Sequence, residues 1–121
     1  MVCVGWERAF MTSQPCRITI RWSVPPGEAR PITSTLQGLM ASTRTEPGST
    51  GCSLTTEMGA QVAINYVEDW KTEGDLKRQL RSDRFAALAE LMEQASEHPT
   101  IEFALAGSTR GLDYAREVRG T

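Results

Sequence analysis

The stretch from residue 61 to residue 85 constrains the fold most, because a strand pattern changes there into a helix pattern. Val62, Ile64 and Tyr66 place large, mainly apolar side chains at every second position, which is the period of a strand with one buried face. Thr72 is a residue type that caps helices, and Asp75 suits the positive end of a helix dipole. Apolar residues then recur at helical spacing, at Leu76, Leu80, Phe85, Leu88 and Met92. The stretch therefore predicts a strand that leads through a short turn into an amphipathic helix.

The rest of the chain repeats these two patterns. The predicted strands cover residues 17–24, 52–58, 62–70 and 101–105, and the first predicted helix covers residues 28–43. Pro31 is expected in the first turn of that helix, where a missing N–H loses no partner. Ser82 and Asp83 favour helix ends over helix interiors, so the second helix is expected to break there.

The order strand, helix, strand, strand, helix, strand is that of the ferredoxin-like βαββαβ fold. Right-handed crossovers place both helices on one face of a four-stranded antiparallel sheet. The sequence therefore predicts one α+β domain over residues 16–108, with an extension over 1–15 and a tail over 109–121. The tail is expected to form a short helix that covers either its own domain or a partner subunit. The extension is interpreted as mobile, or as a docking arm that carries Trp6 and Phe10.

Composition excludes several classes of function. A net charge of −2 without a basic stripe argues against nucleic acid as a partner. No apolar run approaches the roughly 18 residues that a membrane span needs. The three cysteines are scattered and form no CxxC pair, which favours a reducing, cytoplasmic location. His98, the single histidine, is interpreted as a loop residue, and no ordinary zinc site or phosphate-binding loop is expected.

A family resemblance rests on two short motifs. The first is the strand end Tyr66-Val67-Glu68-Asp69-Trp70, followed in the helix by Leu76, Leu80, Ser82 and Phe85. The second is the turn over residues 43–48, with the sequence TRTEPG. Together with the element order, these motifs resemble the antibiotic biosynthesis monooxygenase (ABM) family over about residues 17 to 105. The resemblance implies a dimeric α+β barrel, and some enzymes of the family oxygenate phenols or quinols without metal or flavin.

The sheet face opposite the helices supports the implied homodimer. Its residues are polar or small, namely Thr19, Arg21, Ser53, Thr55, Ala63, Val67 and Ala104. This set is too mixed for a core and too apolar around Ala63 and Val67 for open solvent. We therefore expect a second copy of the chain to cover this face.

The candidate site is a pocket between the sheet and the helices. The predicted catalytic residues are Tyr66, Trp70 and Asn65, and the predicted substrate-binding residues are Trp22, Phe85 and Arg81. Polar-tipped groups in an apolar pocket suit the stabilisation of an anion that develops on a phenolic substrate. The alternative is that the aromatic residues are ordinary core residues. Asn65 points away from Tyr66 in a regular strand, so its role requires a bulge or a site reached from the dimer side.

Departures from the family narrow the chemistry. Gln79 and Arg84 stand where many members carry histidines, and Ala89 matches the iron-ligating histidine of the haem-degrading branch. We therefore expect no haem, flavin or metal cofactor. A cofactor-independent monooxygenase acting on a small aromatic molecule is one predicted function. The other is a catalytically silent dimeric barrel that binds a small molecule or serves a structural role, and an isomerase or decarboxylase-like relative is a third possibility.

Overall fold

A computed structural model describes residues 15–120 of the chain. The predicted docking arm with Trp6 and Phe10 lies outside these residues. The strands are β1 (Cys16–Val24), β2 (Ser49–Glu57), β3 (Val62–Trp70), β4 (Thr100–Leu105) and β5 (Ser108–Arg110). The helices are α1 (Pro26–Thr43), α2 (Glu73–Leu80), α3 (Asp83–Gln94) and α4 (Leu112–Arg119).

The described residues form one antiparallel sheet in the order β2-β3-β1-β4-β5. The predicted α+β class is confirmed, and the first four strands lie in the order expected for a split βαβ arrangement. The sheet has five strands where four were predicted, because β4 turns back into β5 and pairs Leu105 with Ser108. Gly107 makes this reversal possible with a φ of 77°, which only glycine adopts readily.

The core lies on one face of the sheet, under the helices. β3 alternates strictly, with Val62, Ile64, Tyr66, Glu68 and Trp70 buried and the residues between them half-buried. The helices cover this face with Leu36, Leu76, Leu80 and Leu88, all of which are fully buried. Burial of one such side chain contributes about 1.5–3 kcal/mol, so the alternation fixes which face of each strand turns inward.

The predicted cap at Thr72 and the predicted break at Ser82 and Asp83 are confirmed. Thr72 caps α2, and its hydroxyl oxygen accepts a hydrogen bond from the Asp75 backbone N–H at 3.1 Å. Ser82 caps α3 in the same way and accepts from the Phe85 N–H at 3.3 Å. Each cap satisfies an N–H that lacks a partner within the helix, and is worth about 1 kcal/mol.

The predicted start of α1 is wrong, because the helix begins at Pro26 and not at residue 28. Pro26 suits the first helical position, since its fixed φ is helical and its missing N–H needs no partner there. Pro31 therefore lies inside the helix and not in its first turn. The N–H that Pro31 lacks would have bonded the carbonyl of Gly27, which is an exposed residue that water can reach.

The C-terminal segment packs on its own domain. Tyr114, Ala115 and Val118 of α4 are buried, and the Tyr114 ring lies 5.2 Å from that of Phe103. The Tyr114 hydroxyl donates to Glu73 Oε2 at 2.6 Å. Of the two positions considered for the tail, the structure shows the one over its own domain. No helix within residues 15–120 is both long enough and apolar enough to cross a membrane.

Candidate functional site

The structure distributes the six predicted site residues over four places. Tyr66 and Trp70 lie in the core below β3, and Phe85 lies in a cleft between α3 and α4. Trp22 and Asn65 line a cleft at the open face of the sheet, and Arg81 lines a third cleft beside α4. None of the clefts described below is lined by all six of these residues.

Two of the predicted catalytic residues converge on a carboxylate, Glu68, which is fully buried. The Tyr66 hydroxyl donates to Glu68 Oε2 at 2.5 Å, and the Trp70 indole Nε1 donates to Oε1 at 3.0 Å. Alternation along β3 places all three side chains on the core face. The strand itself therefore brings two donors to one buried acceptor.

Two neighbouring elements complete this arrangement, which we call the Glu68 cluster and define as Glu68, Tyr66, Trp70, Gln79 and Cys52. Gln79 of α2 donates its side-chain Nε2 to Glu68 Oε2 at 3.4 Å. Cys52 of β2 lies opposite Glu68 in the sheet register, and its Sγ donates to the Tyr66 hydroxyl at 3.4 Å. The acceptor atoms of Glu68 are thus hydrogen-bonded on both sides, as a buried polar group requires.

Burial dominates the electrostatics of the cluster. Loss of hydration raises the pKa of Glu68, while hydrogen bonds from Tyr66, Trp70 and Gln79 and the charge of Arg84 oppose that rise. Burial likewise raises the pKa of Cys52 to about 11, so its thiol stays protonated and unreactive near neutral pH. The pKa of Tyr66 is also raised, first by burial and then by the neighbouring Glu68 charge. Burial therefore disfavours the ionised form of all three groups, and among them Glu68 is the one that several hydrogen-bond donors stabilise in that form.

In the sequence analysis Glu68 is named only as part of the strand-end motif Tyr66–Trp70, with no role or partner of its own. The signal that could have found the partners is parity, because Glu68 shares a strand face with Tyr66 and Trp70. A carboxylate flanked on the core face by two aromatic residues with polar tips indicates a buried, hydrogen-bonded acid.

The cleft between α3 and α4, which we call the α3/α4 cleft, has a volume of about 380 Å³. Its apolar lining consists of Phe85, Ala89, Met92, Pro99, Ile101, Leu112 and Ala115. Its polar lining consists of Glu93, His98, Arg116 and Arg119. The size and the few polar groups match an ordinary small-molecule pocket, and the volume suits a molecule with one or two aromatic rings.

His98 is a candidate site residue that sequence analysis passed over. It does lie in the loop before β4, as interpreted, but it also lines both the α3/α4 cleft and the cleft on the open sheet face. His98 is exposed, and a neutral imidazole has one ring nitrogen that can accept a proton or a hydrogen bond. Its position depends on how the loop folds back between two elements, and no local pattern in the sequence reports that.

The cleft on the open sheet face has a volume of about 410 Å³ and includes Arg21, Trp22, Asn65 and His98. β3 pairs with β1 from end to end without a register shift, so Asn65 lies on the face opposite to Tyr66. The bulge that would have joined Asn65 to the core pocket is therefore absent from β3. Trp22 is buried, and its indole Nε1 has no hydrogen-bond acceptor among the described residues.

Arg81 belongs to a separate, polar cleft of about 320 Å³ beside α4. Glu73, Lys77, Arg110, Tyr114 and Glu117 also line it. Arg110 lies over the Tyr114 ring at 5.3 Å and donates to Glu117. Within residues 15–120, no group of three or more His, Cys, Asp or Glu side chains is placed to hold a metal ion.

Comparison with known proteins shows what this architecture is similar to. No protein-family model matches the sequence, and no curated protein matches it. Among solved structures, a "putative antibiotic biosynthesis monooxygenase" from Caulobacter crescentus CB15 matches with a TM-score of 0.66 and 20% sequence identity. The match covers 85% of this chain and 99% of that one. The chain has an ABM-like fold.

Other matches agree with this assignment. A conserved protein from Methanosarcina mazei Go1 has a TM-score of 0.66 at 22% identity, over 80% of this chain and 97% of that one. A second "putative antibiotic biosynthesis monooxygenase", from Nitrosomonas europaea, has a TM-score of 0.62 at 12% identity, over 82% of this chain and 90% of that one. The resemblance to the ABM family is thus confirmed at the level of the fold.

Proposed function

We propose that this ABM-like protein is a cofactor-independent monooxygenase of small phenols or quinols, with the substrate bound in the α3/α4 cleft. The observation that carries the proposal is the cleft itself, which combines an apolar wall, a volume of about 380 Å³ and a histidine at its edge. Phe85, one of the predicted substrate-binding residues, forms part of that wall.

The position of Ala89 supports the placement of the substrate. Ala89 matches the position of the iron-ligating histidine in the haem-degrading branch, and here it lines the cleft. A ligand bound in the same place as in the haem-degrading branch would therefore contact α3 at Ala89. A methyl group leaves room for an organic ring and offers no ligand to iron.

The chemistry requires a substrate that supplies both electrons for dioxygen reduction. A quinol that loses a proton to His98 becomes an electron-rich phenolate, which transfers an electron to dioxygen. One oxygen atom then bonds to a ring carbon, and the other leaves as water. The balance is quinol plus dioxygen gives hydroxyquinone plus water, with the ring oxidised and no external reductant consumed. Arg116, which lines the same cleft, supplies positive charge for the phenolate.

The proposal includes a cytoplasmic homodimer in which two open sheet faces meet. On this face Ala63, Asn65 and Val67 of β3 are only half-buried in the single chain.

A catalytically silent binder of small molecules is the second candidate function. It is favoured by Tyr66 and Trp70, which are bonded to Glu68 and line none of the four clefts described here. The catalytic role predicted for these two residues stays a prediction.

Filling the cleft should abolish turnover. Oxygen uptake with 1,4-naphthohydroquinone should exceed the protein-free rate, and Ala89→Leu should reduce that excess at least tenfold, because the larger side chain occupies the ring's space. Ala95→Leu is the matched control, since Ala95 lines a different cleft between α1 and α3. His98→Asn should reduce turnover by about 10²-fold, the ordinary contribution of a general base.

Uptake that never exceeds the protein-free rate, combined with saturable naphthol binding that Ala89→Leu removes, would support the silent binder. Equal loss of activity in the Ala89→Leu and Ala95→Leu variants would remove the cleft from the account.

A further inference from the structure

The Glu68 cluster is connected to the protein surface through one side-chain amide. Gln79 donates Nε2 to Glu68 and accepts at Oε1 from Arg84 Nε, at 3.1 Å. The Ser82 hydroxyl reaches the same Oε1 at 3.3 Å. Arg84 in turn forms an ion pair with Glu46, and both members of this pair are partly exposed. The path therefore runs from a buried carboxyl to a surface ion pair in two steps.

Donor and acceptor chemistry fixes the orientation of this amide. A guanidinium group carries only donors, so the face that Gln79 turns toward Arg84 must be its carbonyl oxygen. The NH₂ group of Gln79 then has to face Glu68, which is consequently held as an acceptor. A protonated Glu68 could give its proton to Tyr66 alone, because the Gln79 oxygen is already engaged by Arg84 and Ser82.

We propose that Arg84 is a positioning residue that holds the buried Glu68 carboxyl in its ionised, hydrogen-bond-accepting form by fixing the side-chain amide of Gln79. The titratable and charged groups that face Glu68 are Tyr66 on its own strand, Cys52 on β2 and Arg84 on α3. On β1 the apolar Ile18 lies opposite Glu68, and α2 contributes the neutral Gln79. Arg84 is therefore the one cation directed at Glu68 among these neighbours. The inference is independent of whether the α3/α4 cleft binds a substrate.

Loss of Arg84 should raise the pKa of Glu68 in two ways. The positive charge that favours the carboxylate disappears, and the Gln79 amide becomes free to turn its oxygen toward a protonated Glu68. Both changes favour the neutral carboxyl. A merely structural Arg84 would change the stability of the α2–α3 junction without moving the titration of Glu68.

The experiment follows the side-chain carboxyl carbon of Glu68 by NMR as the pH is raised. In Arg84→Met the midpoint should rise by about one pH unit or more, a tenfold change in the ionisation constant. Arg78→Met is the matched control, because Arg78 pairs with Asp75 at 2.8 Å on the neighbouring helix and makes no bond to Gln79. The control should leave the Glu68 midpoint in place. Arg84→Lys, which keeps the charge, should show a smaller rise than Arg84→Met.

A second measurement uses the unaltered protein and does not depend on whether the variants fold. The side-chain NH₂ resonances of Gln79 should shift with the same midpoint as the Glu68 carboxyl carbon, since the two groups share a hydrogen bond. Gln79 resonances that do not follow Glu68 would overturn the proposal. An equal Glu68 midpoint in the Arg84→Met and Arg78→Met variants would overturn it as well.

Discussion

The free energy of unfolding should fall as the pH rises above about 4.5, and a Glu68→Gln variant should lack this part of the fall. Burial raises the pKa of Glu68 in the folded state above its ordinary value of 4.5. Between these two pKa values the folded chain binds more protons than the unfolded chain. The contribution of Glu68 is therefore fully present below pH 4.5 and is lost as the pH rises toward the folded pKa. Its slope is at most about 1.4 kcal/mol per pH unit.

The measurement is urea unfolding of both proteins between about pH 4 and pH 8, with the difference in unfolding free energy plotted against pH. Subtracting one curve from the other removes the contributions that both proteins share. These include carboxyls such as Glu28 and Asp113, whose pKa values are lowered by hydrogen bonds and whose effect on stability has the opposite sign. Glu57→Gln, at an exposed strand end, is the control and should track the unaltered protein. If the unfolding free energies of Glu68→Gln and of the control change with pH in parallel, the pKa of the Glu68 carboxyl is not raised in the folded state.

We expect the unaltered protein to form a dimer through its open sheet face and an Ala63→Glu variant to be monomeric. Ala63 lies on the open sheet face near the start of β3, between Ser23 of β1 and Glu57 at the end of β2. A carboxylate there would be buried without a partner between two sheets, and a second carboxylate already stands beside it. Light scattering at micromolar concentration should give twice the 13.3 kDa mass of the chain for the unaltered protein and the single mass for the variant.

Ser34→Glu is the matched control, because it makes a similar change at an exposed position of α1. It should leave the dimer intact. A clean monomer for the unaltered protein at the same concentration would contradict the face-to-face arrangement.

Local pattern was enough to predict most of the architecture. The alternation along β1 and β3, the caps at Thr72 and Ser82 and the element order led to the correct class and sheet order, because each depends on residues close in the sequence. Parity also placed Asn65 correctly on the face away from Tyr66. The fifth strand was missed because Ser108–Arg110 is too short to show a period, and its pairing depends on the turn at Gly107.

The candidate site was harder to predict, because its residues meet only in three dimensions. Phe85 and His98 come from different elements and line one cleft together with residues of α4. Sequence analysis had predicted α4 only as a helical tail. Glu68 is a charged residue type in a core position, and the pattern of apolar and polar residues would assign it to the surface. Its partner Gln79 comes from another element, and periodicity does not report which helix residue lies over which strand residue.

The most direct test of the central claim is an NMR titration of the methyl-labelled protein with 1-naphthol. The α3/α4 cleft predicts saturable shifts of the Met92, Ile101 and Leu112 methyl groups, which line it. The methyl groups of Ile32, in the cleft between α1 and α3, should stay in place. Absence of saturable shifts, or shifts centred on Ile32 or on the open sheet face, would contradict the assignment of this cleft as the binding site.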